Sequence, residues 1–146
     1  MKKVYLDNCC LNRFFDNQSQ KRIRLETEAI KIILEKIETK ELIWLGSEAL
    51  EMEIGNTKSV FRKTALKATT MHTELTVKIS ENIHNRAIRL TTLGLKFLDT
   101  LHIACAEAGG AEILLTTDDK LIKLYQRSIL EFDLKVKNPT EWLKEI

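Results

Sequence analysis

The chain has 146 residues, of which 44% are hydrophobic and 30% charged, with only one proline and five glycines. This length is typical of one folded domain with a substantial core, and the composition excludes a disordered or fibrous chain, so we expect a single domain over residues 1–146. The 23 basic and 21 acidic side chains give a net charge of only +2, which by itself neither indicates nor excludes a nucleic-acid partner.

The first third of the chain alternates strand patterns with helix patterns. The apolar run Val4-Tyr5-Leu6 stops at Asp7 and predicts a buried strand that delivers Asp7 at its carboxyl end. Apolar residues recur at helical spacing over residues 18–39, which predicts a long amphipathic helix. Residues 41–45 predict a second strand, and Ser47 is placed to cap the helix that follows.

The middle of the chain has two further helical patterns separated by a short strand. Residues 58–72 are rich in Lys, Arg and Ala and predict a helix. Residues 75–79 alternate polar with apolar side chains, as a short strand does. Ser80 then begins a third helical segment, which we expect to end near Gly94.

The last third carries the remaining elements. Residues 95–108 repeat apolar side chains at helical spacing and stop at two glycines, which end helices. Residues 113–115 predict a strand, a helical pattern begins at Leu121, and a further strand is predicted over residues 132–136 before a closing helix with Trp142. Strands that alternate with helices in this way predict an α/β fold with a mainly parallel sheet.

The cysteines and the apolar segments indicate a cytoplasmic protein. Cys9, Cys10 and Cys105 form neither a disulfide framework nor a CxxC zinc or redox pattern, so we assign them no chemistry and expect a reducing compartment. Asp7 and Asn8 interrupt the first apolar residues before a signal sequence develops. No run approaches the roughly 18 apolar residues that a membrane span needs.

Acidic residues follow two of the predicted strands. The carboxyl ends of parallel strands share one edge of a sheet, so Asp7 and Asp118 should meet there with residues that begin the following helices. Carboxylates that converge repel one another, and their pKa values rise unless a cation neutralises them. Oxygen ligands without paired His or Cys select Mg²⁺ or Mn²⁺ over zinc. Such an ion supports hydrolysis of phosphodiesters, so the pattern favours a metal-dependent nuclease.

Three segments resemble the acidic motifs of PIN domains, in the family's order and spacing across nearly the whole chain. The middle one is the most specific, because an Asp that opens a helix and continues as Leu-His-x-Ala-x-Ala is hard to obtain by chance. The segments are Val4-Tyr5-Leu6-Asp7, Leu98-Asp99-Thr100-Leu101-His102-Ile103-Ala104-Cys105-Ala106 and Leu114-Leu115-Thr116-Thr117-Asp118.

This resemblance implies a Rossmann-like, three-layer α/β sandwich and a Mg²⁺ or Mn²⁺ site held by Asp7, Asp99, Asp118 and one further acid. It implies endoribonuclease activity on RNA, as in many members, including the toxins of toxin–antitoxin pairs. A small antitoxin protein is then a possible partner, and a homodimer is expected because such toxins commonly dimerise. The alternative is a non-catalytic module that binds RNA or protein, which the intact acids argue against.

The further acid of the family lies in the helix after the second strand, where this chain offers three candidates. By resemblance we choose Glu53, six positions past Ser47, which is the interval that the family usually shows. Glu51 is the second choice, and Glu48 in the first turn is explained by the helix macrodipole. Family members commonly place Asn or Ser two residues after the first Asp, where this chain has Cys9.

Several of these polar residues also have a purely structural interpretation. Asp99 lies on an apolar helix and needs a partner, which favours a functional role. Asp118 is expected to face the metal. Asp119 either contacts a metal-binding residue without binding the metal itself or caps a helix in solvent. His102 shares a helix face with Asp99, which suggests a general base, but we favour a buried, hydrogen-bonded core histidine. His72 is expected to be exposed.

Two basic groups are candidates for phosphate contacts. Each has a helical pattern in which a solvated helix face is the more common outcome, although a nuclease needs some basic surface for its substrate. The groups are Lys21, Arg22 and Arg24, and Arg62, Lys63 and Lys67.

Overall fold

Five parallel strands form the centre of the computed structural model, which describes residues 1–146. Across the sheet their order is β3-β2-β1-β4-β5, so β1 lies in the middle and all carboxyl ends lie at one edge. The predicted α/β class with a parallel sheet is confirmed. In chain order the strands are β1 (Lys2–Leu6), β2 (Leu42–Ser47), β3 (Leu75–Val77), β4 (Ile113–Leu115) and β5 (Lys135–Lys137).

Eight α-helices surround this sheet, and serine caps predicted from the sequence start two of them. The hydroxyl of Ser47 accepts the backbone N–H of Leu50, and that of Ser80 accepts the backbone N–H of Ile83. None of the helices combines the length and the apolar composition of a membrane span. The helices are α1 (Asn8–Asn12), α2 (Lys21–Glu38), α3 (Glu48–Gly55), α4 (Val60–Thr70), α5 (Glu81–Thr91), α6 (Phe97–Ala108), α7 (Asp119–Arg127) and α8 (Pro139–Leu143).

The alternation of side chains along β1 produces the three layers. Val4 and Leu6 point to one face of the sheet and share a core cluster with residues of α2 and α8. Tyr5 points to the other face and packs with residues of α5, α6 and α7. All three side chains are completely buried, and each apolar one of this size contributes roughly 1.5–3 kcal/mol to folding. Helices on both faces of the sheet confirm the predicted three-layer sandwich.

Three local features differ from the sequence-based expectation. The short helix α1 was not predicted, and it follows β1 directly. The last strand was predicted over residues 132–136 but spans Lys135–Lys137. Phe132 and Leu134 are buried but do not pair in the sheet, so their apolar side chains indicated burial and not strand pairing. Helix α7 begins at Asp119 and not at Leu121, because its cap is Asp118.

Gly109 lies where the end of α6 packs closely on β2 and β3. A Cβ added there would lie 2.8 Å from Val77 Cγ2 and 2.9 Å from Leu45 Cδ1, well inside van der Waals contact. We expect Gly109→Ala to lower the free energy of unfolding, measured by urea denaturation, by about 1–3 kcal/mol. Gly55→Ala is the control, since an added Cβ meets nothing within 4 Å. Equal stability of both variants would contradict this account of α6 packing.

Candidate active site

The four predicted acids meet at the carboxyl edge of the sheet. Asp7 directly follows β1, Asp118 follows β4, Glu53 lies on α3 after β2, and Asp99 lies in the first turn of α6. Burial raises the pKa of Asp99, and the negative charges of Asp7, Asp118 and Glu53 raise it further against the opposing effect of His102. The other three carboxylates therefore lie close enough to Asp99 to raise its pKa.

The carboxylate of Asp7 is oriented by the segment that follows β4. The backbone N–H of Asp7 donates to Leu115 O at 2.9 Å, and this bond continues the pairing of β1 with β4. The Thr116 hydroxyl donates to Asp7 Oδ2 at 2.8 Å, and the Cys9 thiol lies 3.4 Å from the same oxygen. Cys9 Sγ also accepts the backbone N–H of Thr117 at 3.4 Å. The position where the family commonly has Asn or Ser thus keeps a polar contact with Asp7 through sulfur.

Glu53 is the acid of α3 that faces this cluster. Its Oε1 lies 2.7 Å from Nε2 of His102. Glu48 points elsewhere, because its Oε1 accepts the backbone N–H of Ile79 at 2.6 Å and so ties α3 to the segment after β3. Glu51 is exposed to solvent. The geometry therefore favours Glu53 over both alternatives.

His102 is part of a buried ladder of hydrogen bonds. Its side chain is 3% exposed, in agreement with the core histidine that we favoured. Its Nδ1 lies 2.6 Å from the hydroxyl of Tyr5, which lies 2.6 Å from Oγ of Ser47. The ladder Ser47–Tyr5–His102–Glu53 thus connects β2, β1, α6 and α3. The contact of His102 with a site acid was not predicted from the sequence.

The charges along this ladder follow from its contacts. Burial lowers the pKa of His102, but the hydrogen bond that His102 donates to Glu53 and the charges of Asp7, Glu53 and Asp99 outweigh it, so the net shift is upward. Burial raises the pKa of Glu53, but the hydrogen bond and charge of His102, with a contribution from Asn8, bring it below its usual value. A protonated His102 donates from both ring nitrogens, to Tyr5 and to Glu53, and Tyr5 then donates to Ser47.

Asp118 and Asp119 have different structural roles. Asp118 caps α7, since its Oδ1 accepts the backbone N–H groups of Lys120 and Leu121 at 3.0 and 3.4 Å. The other carboxylate oxygen of Asp118 has no donor within the protein. Asp119 is 56% exposed, and both its oxygens pair with Arg22 at 2.7 and 2.8 Å. Arg22 is 51% exposed, as expected for a solvated helix face, and it pairs with Asp119 on that face.

Arg22 links the loop that carries Asp118 to the buried carboxylate of Glu26. It also donates to Thr117 O at 3.0 Å and to Glu26, which is only 2% exposed. Arg13 and Asn138 donate to the same carboxylate at 2.9 and 2.6 Å, so Glu26 is fully paired. Asp119 and Arg22 consequently support the loop that carries Asp118. No sequence pattern indicated this network, because its members are far apart in the chain.

The donor set of the cluster fits a hard divalent cation. Ligand atoms of Asp7, Glu53 and His102 lie within 4.8 Å of one another, and Nε2 of His102 is engaged by Glu53, which leaves oxygens as the available donors. Asn8, beside Glu53, has a buried Oδ1 without any hydrogen-bond partner. Burial and the neighbouring negative charges raise the pKa of Asp99, and a cation would relieve the repulsion among those charges.

Removing His102 should destabilise the protein. His102→Phe deprives Tyr5 and Glu53 of a buried partner, so we expect the free energy of unfolding to fall by about 1–3 kcal/mol in urea denaturation. His72→Phe is the control, because His72 is exposed and makes no hydrogen bond through its side chain.

The pH dependence of this loss has a defined sign. The raised pKa of His102 contributes stability that is complete below the unfolded value of 6.5 and is lost as pH rises through the folded value. The lowered pKa of Glu53 contributes stability that is complete above 4.5 and is lost as pH falls through the folded value. The difference between wild type and His102→Phe should therefore be largest between pH 4.5 and 6.5, and a flat difference would contradict the ladder.

Asp99→Asn should stabilise the metal-free protein. The raised pKa of Asp99 means that its ionised form destabilises the fold as pH rises above the ordinary value of 3.8. In EDTA at neutral pH we expect the amide to increase the free energy of unfolding by about 0.5–2 kcal/mol. Added Mn²⁺ should then stabilise the wild type more than the variant. The exposed Glu112→Gln should change neither value; if Asp99→Asn behaves in the same way, the acids do not repel one another.

Comparisons with known proteins found a matching family and a similar fold. A family model described as PIN domain matches residues 4–126, a span that includes all four acids. No curated protein matches the sequence significantly. Among solved structures, a chain of VapBC2 from Rickettsia felis, crystallised with a DNA fragment from its promoter, shares the fold with a TM-score of 0.58 and 15% identity over 94% of this chain and 98% of that chain. Because the family model covers most of the sequence, the chain belongs to the PIN domain family.

Proposed function

We propose that the chain is a metal-dependent endoribonuclease that acts as one domain over residues 1–146. The observation that carries the proposal is the convergence of Asp7, Glu53, Asp99 and Asp118, four carboxylates from four separate elements, at one edge of the sheet. A structural role alone does not account for such a cluster, because it costs free energy without a cation. Membership of the PIN domain family supports the same function, since PIN domains are generally nucleases.

The four acids would hold Mg²⁺ or Mn²⁺, and the surrounding residues keep their oxygens in place. Thr116 fixes one oxygen of Asp7, and His102 fixes one oxygen of Glu53. The ion, when bound, supplies an activated water and stabilises the negative charge that develops on a phosphodiester. The residues themselves bind the ion and orient the water for attack on RNA.

We further propose that the nuclease is the toxin of a toxin–antitoxin pair in the cytoplasm, inhibited by a small antitoxin protein, and that it forms a homodimer. The similar fold of a chain in the Rickettsia felis VapBC2 complex supports this role. A neighbouring short gene for a DNA-binding protein with a disordered tail would support the pairing, and co-purification of the two products would test it. Light scattering after gel filtration would test the dimer.

Cleavage of a mixed RNA pool tests the nuclease. Purified wild type should cut RNA with Mn²⁺ or Mg²⁺ and not with excess EDTA. Glu53→Gln and Asp99→Asn should each reduce the rate by at least about 100-fold, because each removes a proposed ligand. Glu51→Gln is the matched control, as the neighbouring acid of α3 is exposed. Cleavage that resists EDTA, or equal activity of Glu53→Gln and Glu51→Gln, would refute the proposed site.

A further inference from the structure

Glu53 has the longest and most flexible side chain of the four site acids. It has one more methylene group than an aspartate, and its side chain is 30% exposed. Holding such a side chain in one rotamer costs conformational entropy, and this cost weakens ion binding unless the protein already fixes the rotamer. Thr116 fixes Asp7, and the backbone at the start of α7 fixes Asp118. Glu53 needs a comparable support.

The hydroxyl of Tyr5 is placed to provide this support through the ring of His102. Tyr5 Oη lies 2.6 Å from Nδ1 of His102, and Nε2 of the same ring lies 2.7 Å from Oε1 of Glu53. An imidazole ring is rigid, so a contact that fixes one nitrogen also fixes the direction of the other. The ring therefore transmits the position of Tyr5 to Glu53.

The contact with Tyr5 also determines which nitrogen of His102 carries a proton. A neutral ring accepts the Tyr5 hydroxyl at Nδ1 and carries its proton at Nε2, where it faces Glu53. A protonated ring donates from both nitrogens, to Tyr5 and to Glu53. Nε2 thus presents a proton to Glu53 in either state, and the support does not depend on the titration of the ring.

Packing alone does not require a hydroxyl on residue 5. The side chain of Tyr5 is completely buried in an apolar cluster that includes Leu45 and Ile103. A phenylalanine would fill the same space without burying a polar group. The second partner of the hydroxyl is Ser47 at 2.6 Å, which also caps α3. The chain of contacts therefore begins at the cap of the helix that carries Glu53 and ends at Glu53 itself.

We propose that Tyr5 is a positioning residue of the metal site, whose hydroxyl holds the ring of His102 and thereby holds the carboxylate of Glu53 in the orientation that binds the divalent cation. Without the hydroxyl, Nδ1 of His102 is buried without a partner, the ring turns, and Glu53 samples several rotamers. The ion then binds more weakly, although all four acids are present. This role rests on the proposed function and adds to it a residue that touches neither the ion nor the RNA.

The affinity for Mn²⁺ tests this role without a measurement of cleavage. Metal-free protein is titrated with Mn²⁺, and the free ion is measured by electron paramagnetic resonance. Tyr5→Phe should raise the dissociation constant by about 10-fold, since residues that support metal ligands typically contribute roughly 10- to 100-fold to affinity. Tyr125→Phe is the matched control and should bind Mn²⁺ as the wild type does. Tyr125 is the other tyrosine of the chain, and its ring packs on Phe132 while its hydroxyl makes no hydrogen bond within the protein.

Three further proteins separate positioning from a general loosening of the site. His102→Gln keeps a donor that reaches Glu53 but loses the contact with Tyr5, so it should weaken Mn²⁺ binding at least as much as Tyr5→Phe does. In a Glu53→Ala background, Tyr5→Phe should change the dissociation constant by less than about 2-fold, because no carboxylate is left to position. In an Asp99→Asn background the loss of about 10-fold should remain.

Circular dichroism during heating shows whether each variant is folded at the temperature of the titration. Unchanged Mn²⁺ affinity of folded Tyr5→Phe protein overturns the proposal. An equal loss of affinity from Tyr5→Phe in the Glu53→Ala background also overturns it, since the hydroxyl would then act on the site as a whole. If Tyr5→Phe does not fold, His102→Gln decides: wild-type affinity overturns the proposal, and weakened affinity supports it.

The two hypotheses fail in different ways. Metal-dependent cleavage of RNA with normal Mn²⁺ affinity of Tyr5→Phe would uphold the nuclease and refute the role of Tyr5. Mn²⁺ binding that depends on Tyr5, without any cleavage of RNA, would uphold the role of Tyr5 and refute the nuclease. A wild-type protein that binds no Mn²⁺ would refute both.

Discussion

Repulsion among carboxylates is the constraint on which the rest of this structure depends. Asp7, Glu53 and Asp118 follow β1, β2 and β4 at the carboxyl edge of the parallel sheet, and helix α6 contributes Asp99. Burial and the charges of the other three acids raise the pKa of Asp99, which is one cost of this arrangement. Packing on both faces of the sheet must supply the free energy that holds like charges close together.

Hydrogen bonds on two sides of the cluster hold its residues in place. On one side the ladder from Ser47 to Glu53 crosses the central strand and places the ring of His102 against a site acid. On the other side Arg22 and Thr116 hold the loop between β4 and α7. Among these contacts, His102 engages one oxygen of Glu53 and Thr116 engages one oxygen of Asp7.

Sequence patterns predicted the sheet, most helices and the placement of Asp7 and Asp118 after strands, because strand ends and helical periodicity are local properties. Glu53 and Asp99 were expected in the site from the resemblance to PIN domains. They did not predict the partners of these residues. Tyr5 and His102 are separated by 97 positions, as are Arg22 and Asp119, and no local pattern specifies such contacts. The predicted bounds of β5 were wrong for a related reason, since apolar residues indicate burial whether or not their backbone pairs in a sheet.

The pairing of β1 with β4 also affects how the protein matures on the ribosome. Asp7 and Thr116, which share a hydrogen bond, are 109 positions apart, and the loop with Asp118 follows them. Parallel strands this far apart in sequence pair late, because closing the intervening chain is slow. A nascent chain therefore carries Asp7 and Glu53 long before it can assemble the cluster. The acidic centre becomes complete only after the segment with Asp118 has emerged, so synthesis itself delays any activity that the centre confers.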